Sequence, residues 1–280
     1  MSLTGGAATG TQVSWPHWAR ANVGLAIGVL TGQPRQRAVE GTRARVLAAG
    51  LATILLAAAV MAFADASLAG AAKQLPGWVH RAFALVTDFG KSGWFLWPTG
   101  IVLLATAVVS SPALAPLSRL VLAAIAVRAG FLFAAIAAPS LFATIIKRLI
   151  GRARPFVGSE ADPFLYHPLV WRADYASLPS GHATTAFAAA VAVALIWPRL
   201  RWPMLVYALI IAASRVALDA HYLSDVIVGA FVGSIGALMV RDWFARRRLG
   251  FTVDLKGTVY PLPGPSWPRI KRVAGSLIAP

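Results

Sequence analysis

Residues 120–155 read LVLAAIAVRAGFLFAAIAAPSLFATIIKRLIGRARP. Leu120–Ile146 is an apolar run interrupted by one cation, Arg128. It opens directly onto Lys147, Arg148, Arg152 and Arg154. An α-helix crosses the hydrocarbon of a bilayer with about 20 mostly apolar residues. The stretch therefore predicts a spanning helix that ends in a cationic polar segment.

The same pattern recurs on either side, at roughly Val46–Ala64, Trp94–Val109, Ala183–Trp197, Pro203–Leu218 and Leu223–Val240. Taken in chain order, the second, fourth and fifth of the six are short for a span. The expected fold class is an all-α integral membrane protein, a six-transmembrane-helix bundle. Residues 1–45 read as a polar N-terminal tail and 46–240 as the spanning domain. Residues 241–280 read as a basic, proline-containing tail, irregular from about 249 onward. Leu75–Phe89 mixes Trp78, His80, Arg81 and Asp88 with apolar residues, which predicts an interfacial helix in the first outer loop. Val23–Leu30 is short and lacks the flanks of a signal peptide.

Composition agrees. The 280 residues are 58% hydrophobic and 13% charged, with a mean hydropathy of +0.68; a soluble domain carries about a quarter charged residues. Lys and Arg number 26 against 10 Asp and Glu, a net charge of +16. In a soluble protein that excess would suggest nucleic acid. Here it reads as anchoring of helix ends, so the expected partner is the lipid bilayer and not nucleic acid. Cysteine is absent, which excludes disulfides, thiolate metal sites and a cysteine nucleophile.

Charge bias sets the orientation. With the N-terminus inside, sixteen of the 26 cations fall on inner segments and nine on outer ones, with Arg128 inside span three. Cytoplasmic segments carry the Lys/Arg excess, so both termini are expected in the cytoplasm of an inner-membrane protein. Residues 147–182 and 214–225 then meet at the outer, periplasmic face.

Those outer segments hold three polar clusters. In Ser214-Arg215-Val-Ala-Leu-Asp-Ala-His221-Tyr-Leu-Ser-Asp225, His221 and Asp225 are four apart. On a helix they would share a face, and a carboxylate on one imidazole nitrogen makes the other a better nucleophile. The guanidinium of Arg215 suits two phosphate oxygens. In Pro179-Ser180-Gly181-His182, a turn opens a helix whose free N–H groups form an anion site. In Lys147-Arg-Leu-Ile-Gly-Arg-Ala-Arg154-Pro155, Lys147 and Arg154 are two helical turns apart, and Pro155 predicts that the helix ends at Arg154. Each cluster has an ordinary alternative. Asp225 and Ser180 are natural helix caps, and Arg148 and Arg152 read as snorkelling anchors. Arg128 reads equally as a head-group contact or a structural polar contact. Asp219 reads as a solvated carboxylate, with a bridge to Arg215 as the alternative.

Together the clusters resemble the type 2 phosphatidic acid phosphatase superfamily, which includes bacterial acid phosphatases, vanadium haloperoxidases and undecaprenyl-pyrophosphate phosphatases. Its pattern is Lys, six residues, Arg-Pro; then Pro-Ser-Gly-His; then Ser-Arg, five residues, His, three residues, Asp. Every specified position is present in order. The resemblance implies a membrane lipid phosphatase acting on a phosphate monoester or pyrophosphate of phosphatidate, phosphatidylglycerophosphate, lipid A or undecaprenyl pyrophosphate type. It implies that Lys147, Arg154, Ser180, Gly181 and Arg215 hold phosphate. It also implies that His221 attacks to give a phosphohistidine, that Asp225 orients His221, and that His182 serves as acid and then base. It implies neither a metal nor another cofactor, and no acidic cluster with metal-ligand spacing appears in the sequence. A lipid phosphotransferase uses the same intermediate, and a non-catalytic phospholipid-binding or transport protein needs only the cations. A haloperoxidase reading fits poorly, because those relatives are soluble. Oligomeric state is left open by the sequence.

Overall fold

The computed structural model describes residues 15–34 and 42–278; residues 1–14 and 35–41 of the expected N-terminal tail, with Arg35 and Arg37 of the inner charge count, lie outside the described residues. The chain runs α1 (Trp15–Thr31), α2 (Thr42–Phe63), α3 (Asp65–Lys73), α4 (Gly77–Thr87), α5 (Gly93–Val109), α6 (Pro116–Ile150), α7 (Gly181–Ile196), α8 (Arg201–Ala217) and α9 (Leu223–Arg246). A two-stranded antiparallel hairpin, β1 (Phe251–Val253) and β2 (Val259–Pro261), and α10 (Trp267–Ile278) follow.

The protein is mainly helical and integral to the membrane. All six apolar segments form helices. Five stretches are long and apolar enough to cross a bilayer: Ala44–Phe63, Gly77–Val109, Pro116–Ile150, Pro198–Ala217 and Leu223–Arg246; α7 is shorter, at 16 residues. The segment expected at 75–89 is α4. It passes through the turn Asp88–Gly90 toward α5, the two forming the apolar stretch Gly77–Val109.

α7 is the centre of the bundle, packed against α6, α8 and α9. It is apolar nearly all round, as a fully enclosed helix must be. Ala183, Ala186, Ala188, Ala189, Ala190 and Ala192 are all buried. Its approach to α9 is closer than side chains permit. A Cβ on Gly229 would sit 2.6 Å from the Ser180 carbonyl oxygen, and one on Gly233 would sit 2.1 Å from that of Thr184. Gly236 meets Pro139 of α6 in the same way. Outward faces such as Leu51, Ile54 and Leu55 of α2 and Trp97, Ile101 and Leu104 of α5 remain exposed, as lipid-facing positions should.

α6 begins with a proline in its first turn, where no helical hydrogen bond is lost. It ends at Gly151, whose left-handed φ of 64° and approach to His167 exclude a side chain. The helix therefore stops before Arg152 and Arg154, not at Arg154 as Pro155 suggested.

Two expectations about the C-terminal region change. The tail is not irregular, and the fold is not purely helical. Proline prevents pairing only where its missing N–H is needed, and Pro261 sits at the end of β2. Phe251 of the hairpin packs edge-on against Phe131 of α6, which also contacts Phe244 of α9. Arg128 donates to the carbonyls of Ala124 and Leu262 at 2.9 and 2.8 Å. It thus ties the tail to α6, the structural side of its two readings. α10 rests on Val121 and Leu122 through Val273. At the N-terminal side, Trp18 donates to the Val108 carbonyl and Arg247 donates to that of Leu30. Hence α1 and α10 both lie at the end of the bundle opposite Lys147 and Asp225.

A Gly233→Ala variant should lower the melting temperature in detergent, with a destabilisation of about 1–3 kcal/mol or more from overpacking. Gly28→Ala, inside α1 where an added methyl meets nothing within 4 Å, should not lower it and gains the better helix propensity of Ala; equal behaviour of the two would contradict this packing.

Candidate active site

Four segment ends converge at one end of the bundle: the C-termini of α6 and α8 and the N-termini of α7 and α9. Ser180 precedes α7 but does not cap it with its side chain. Its backbone N–H instead donates to the Asp225 carbonyl at 3.0 Å, joining the starts of α7 and α9. The capping alternative for Ser180 therefore does not hold. Its N–H is taken, and its buried hydroxyl is the group without a partner.

Lys147 lies in the last turn of α6 with Nζ beside Gly181; a Cβ on that glycine would stand 3.0 Å from it. Arg154 follows on the chain that leaves α6, fixed by its N–H to the Asp174 carbonyl at 2.8 Å. Arg215, buried near the end of α8, donates through Nη1 to Thr87 Oγ1 at 2.6 Å. The Nε atoms of Arg154 and Arg215 are buried without partners. Lys147 lies within electrostatic reach of Arg154, Arg215 and Asp225, and His182 within reach of Arg215, His221 and Lys147. Gly90 leaves room for His182: a Cβ there would come within 2.9 Å of the ring. The structure therefore brings together Lys147, Arg154, Ser180, Gly181, His182, Arg215, His221 and Asp225. No metal-binding group of His, Asp and Glu occurs among the described residues.

His221 and Asp225 are related differently from the helical pair that their spacing predicts. α9 starts at Leu223, so His221 lies in the turn before it. Nδ1 of His221 is 3.8 Å from Asp225 Oδ2, beyond hydrogen-bond range. That oxygen accepts from Ser177 Oγ at 2.5 Å and from Tyr222 N–H at 2.9 Å. Asp225 thus does cap α9, the ordinary alternative, while also facing His221. Ser177 Oγ is 3.4 Å from Nδ1, leaving Nε2 as the ring nitrogen without an assigned bond.

Behind Asp225 is a group that sequence reasoning placed at the surface. Arg152 has no exposed side-chain area and bonds Asp225 Oδ1 at 2.6 Å, Ser224 Oγ at 2.7 Å, Asp65 Oδ2 at 2.9 Å and the Pro163 carbonyl at 3.0 Å. Its guanidinium also lies over the Tyr222 ring. Asp65 accepts from the Ser224 N–H and hydroxyl. Asp65, Thr87, Ser177 and Ser224 were also missed by the sequence reading. The only sequence signal for Asp65 was a lone carboxylate closing an apolar run.

The electrostatics follow burial. Burial lowers the Arg154 guanidinium, with Asp174 opposing. In Arg152 burial is outweighed by Asp225 and Asp65, which hold it above its ordinary value. Burial pushes the His221 imidazole down to about 4, against the pull of Asp225. His221 is therefore neutral at neutral pH. Asp219, expected to be solvated, has one buried oxygen without a partner, and burial raises its carboxyl.

Residues 128–249 match the PAP2 superfamily. Over 211 residues the chain is 31% identical to a lipid A 1-phosphatase of Rhizobium johnstonii and 32% identical to one of Rhizobium etli. The matches cover 72% of this chain and 79% and 83% of those proteins. In fold it resembles the first transmembrane PAP2-type phosphatidylglycerolphosphate phosphatase from Bacillus subtilis, with a TM-score of 0.51 at 22% identity, covering 70% of this chain and 93% of that one.

With the ring neutral in the folded state, protonation of His221 opposes folding as pH falls below the ordinary value of about 6.5. In ¹⁵N-histidine-labelled protein, the His221 signals should stay those of a neutral imidazole through this range, down toward pH 4. Charging near the ordinary value would contradict the burial seen here.

Proposed function

The chain belongs to the PAP2 superfamily, and from that premise we propose that it hydrolyses the 1-phosphate of lipid A at the outer face of the membrane it spans. It is an integral membrane lipid phosphatase. The choice of lipid A follows its two rhizobial relatives, each matched over most of its length. The observation that carries the site is the set of buried groups without partners, Arg154 Nε, Arg215 Nε and Ser180 Oγ, gathered near Lys147 and a neutral His221. Buried polar groups are normally satisfied, and a tetrahedral anion is the ligand these donors fit.

In this reading Lys147, Arg154, Arg215, the Ser180 hydroxyl and the Gly181 N–H hold the phosphate. Nε2 of His221 attacks phosphorus; the P–N bond forms as the P–O bond to the lipid breaks. His182 gives its proton to the leaving oxygen. Water then attacks phosphorus, His182 takes a proton from it, the P–N bond breaks and inorganic phosphate departs. Asp225 stabilises the charge that His221 acquires. The cations meet the charge of the transition state, the role of a metal in other phosphoryl-transfer sites.

The topology proposed has six spans, α7 being the short one, with α4 lying at the interface. The site then faces the periplasm of an inner membrane and both termini the cytoplasm. The positive-inside count supports this, as does the placement of α1 and α10 at the end opposite the site.

Detergent-purified protein should release inorganic phosphate from lipid A in preference to phosphatidate, phosphatidylglycerophosphate and undecaprenyl pyrophosphate. His221→Ala should lower kcat by about 10⁴-fold or more, as loss of a nucleophile does. Inactivity on the whole panel, or an active His221→Ala variant, would sink the proposal; preference for another of these lipids would overturn the choice of lipid A alone.

A further inference from the structure

Arg152 lies within the first cluster but at none of its specified positions, yet it contacts both Asp225 and Ser177, the residues beside Nδ1 of His221. We propose that Arg152, braced by Asp65, is a positioning residue for phosphoryl transfer: it sets Asp225 and Ser177 so that the Ser177 hydroxyl connects the carboxylate to Nδ1 of His221. This rests on the reading of His221 as the nucleophile.

Arg152 acts at two points. Its Nη1 fixes Asp225 Oδ1 at 2.6 Å, and its backbone carbonyl accepts the Ser177 N–H at 3.1 Å. With Oδ1 so occupied, Oδ2 faces the Ser177 hydroxyl at 2.5 Å and the Tyr222 N–H at 2.9 Å. The carboxylate itself stops 3.8 Å short of His221, while Ser177 Oγ stands 3.4 Å from Nδ1. A hydroxyl has one proton to donate and lone pairs with which to accept. Ser177 donates its proton to Oδ2, so toward Nδ1 it can only accept. That places the imidazole proton on Nδ1 and leaves Nε2 bare for attack.

Asp65 makes the arrangement rigid. It takes the second arm of the guanidinium at 2.9 Å and binds both the N–H and the hydroxyl of Ser224, the residue beside Asp225. Four of the five N–H groups of Arg152 are thereby assigned, to Pro163, Ser224, Asp225 and Asp65. A planar fork held on both arms fixes direction as well as charge, which a lysine cannot reproduce. A merely structural role for Arg152 would change stability and leave the proton on His221 where it is.

The test uses full-length protein with Arg152→Lys, Asp65→Asn, Ser177→Ala and Ser177→Thr variants, and His221→Ala as the reference. A small misplacement of a reacting group can cost about 10²-fold; that loss is expected in kcat for Arg152→Lys, Asp65→Asn and Ser177→Ala. KM should stay within about twofold, because the interaction lost belongs to the transition state. Ser177→Thr, which keeps a hydroxyl, should recover activity lost in Ser177→Ala. In ¹⁵N-histidine spectra, His221 of the wild type should show the Nδ1–H tautomer, and Arg152→Lys and Ser177→Ala should show mixed tautomers. Wild-type kcat in Arg152→Lys or Ser177→Ala, or an unmoved tautomer in both, overturns the proposal. If Arg152→Lys fails to fold, the smaller Ser177→Ala change decides. An active His221→Ala protein would instead overturn the reading of the nucleophile, whatever Arg152 does.

Discussion

The Ser180 N–H and the Asp225 carbonyl join the N-terminal ends of two helices, and the rest of the site is arranged around that bond. It forms because Gly229 and Gly233 let α9 lie against the backbone of α7. Each helix N-terminus carries unsatisfied N–H groups and a partial positive charge. The chain treats the two differently. The start of α9 is covered by two carboxylates, its own Asp225 on the Tyr222 N–H and Asp65 of α3 on the Ser224 N–H. The start of α7 has no acidic residue in its first turn and no side-chain cap. One positive end is neutralised by carboxylates within the protein, and the other meets none in its first turn, which is where the proposed function puts the phosphate.

The cations divide along the same line. Arg152 and Arg154 are two residues apart and look alike in sequence. Arg152 is surrounded by carboxylates; Arg154 and Arg215 each keep a buried Nε without a partner. A buried ion pair adds little net stability, because desolvation cancels much of the attraction; removing one partner still costs about 3–5 kcal/mol. The Arg152 cluster is therefore better understood as a device for direction than as a source of stability. The unpaired guanidinium atoms are the ones that the phosphate of the proposed function would satisfy.

Much of this was legible from the chain. Apolar run length predicted the helices, and the motif spacings named the residues that converge. The motif residues were findable because each is a polar group at the end of an apolar segment. The failures have physical causes. Arg152 resembled an anchoring cation because its partners, Asp65 and Asp225, lie far away in sequence. The spacing of His221 and Asp225 matched one helical turn, but the helix begins between them, so the contact passes through Ser177. Proline in the last segment suggested disorder of pattern, yet Pro261 closes a hairpin whose Phe251 fills the gap between α6 and α9. A tertiary contact decided each of these, and periodicity carries no record of it.

The ion cluster also has a place in time. Its members are made in the order Asp65, Arg152, Ser177 and Asp225, separated by most of the spanning domain. While the chain is being synthesised, Asp65 and Arg152 can neutralise one another before the last long helix exists. Arrival of α9 then adds a second carboxylate to an arginine already in position. A chain that stalls before its final span therefore leaves Arg152 with only one of its two carboxylates.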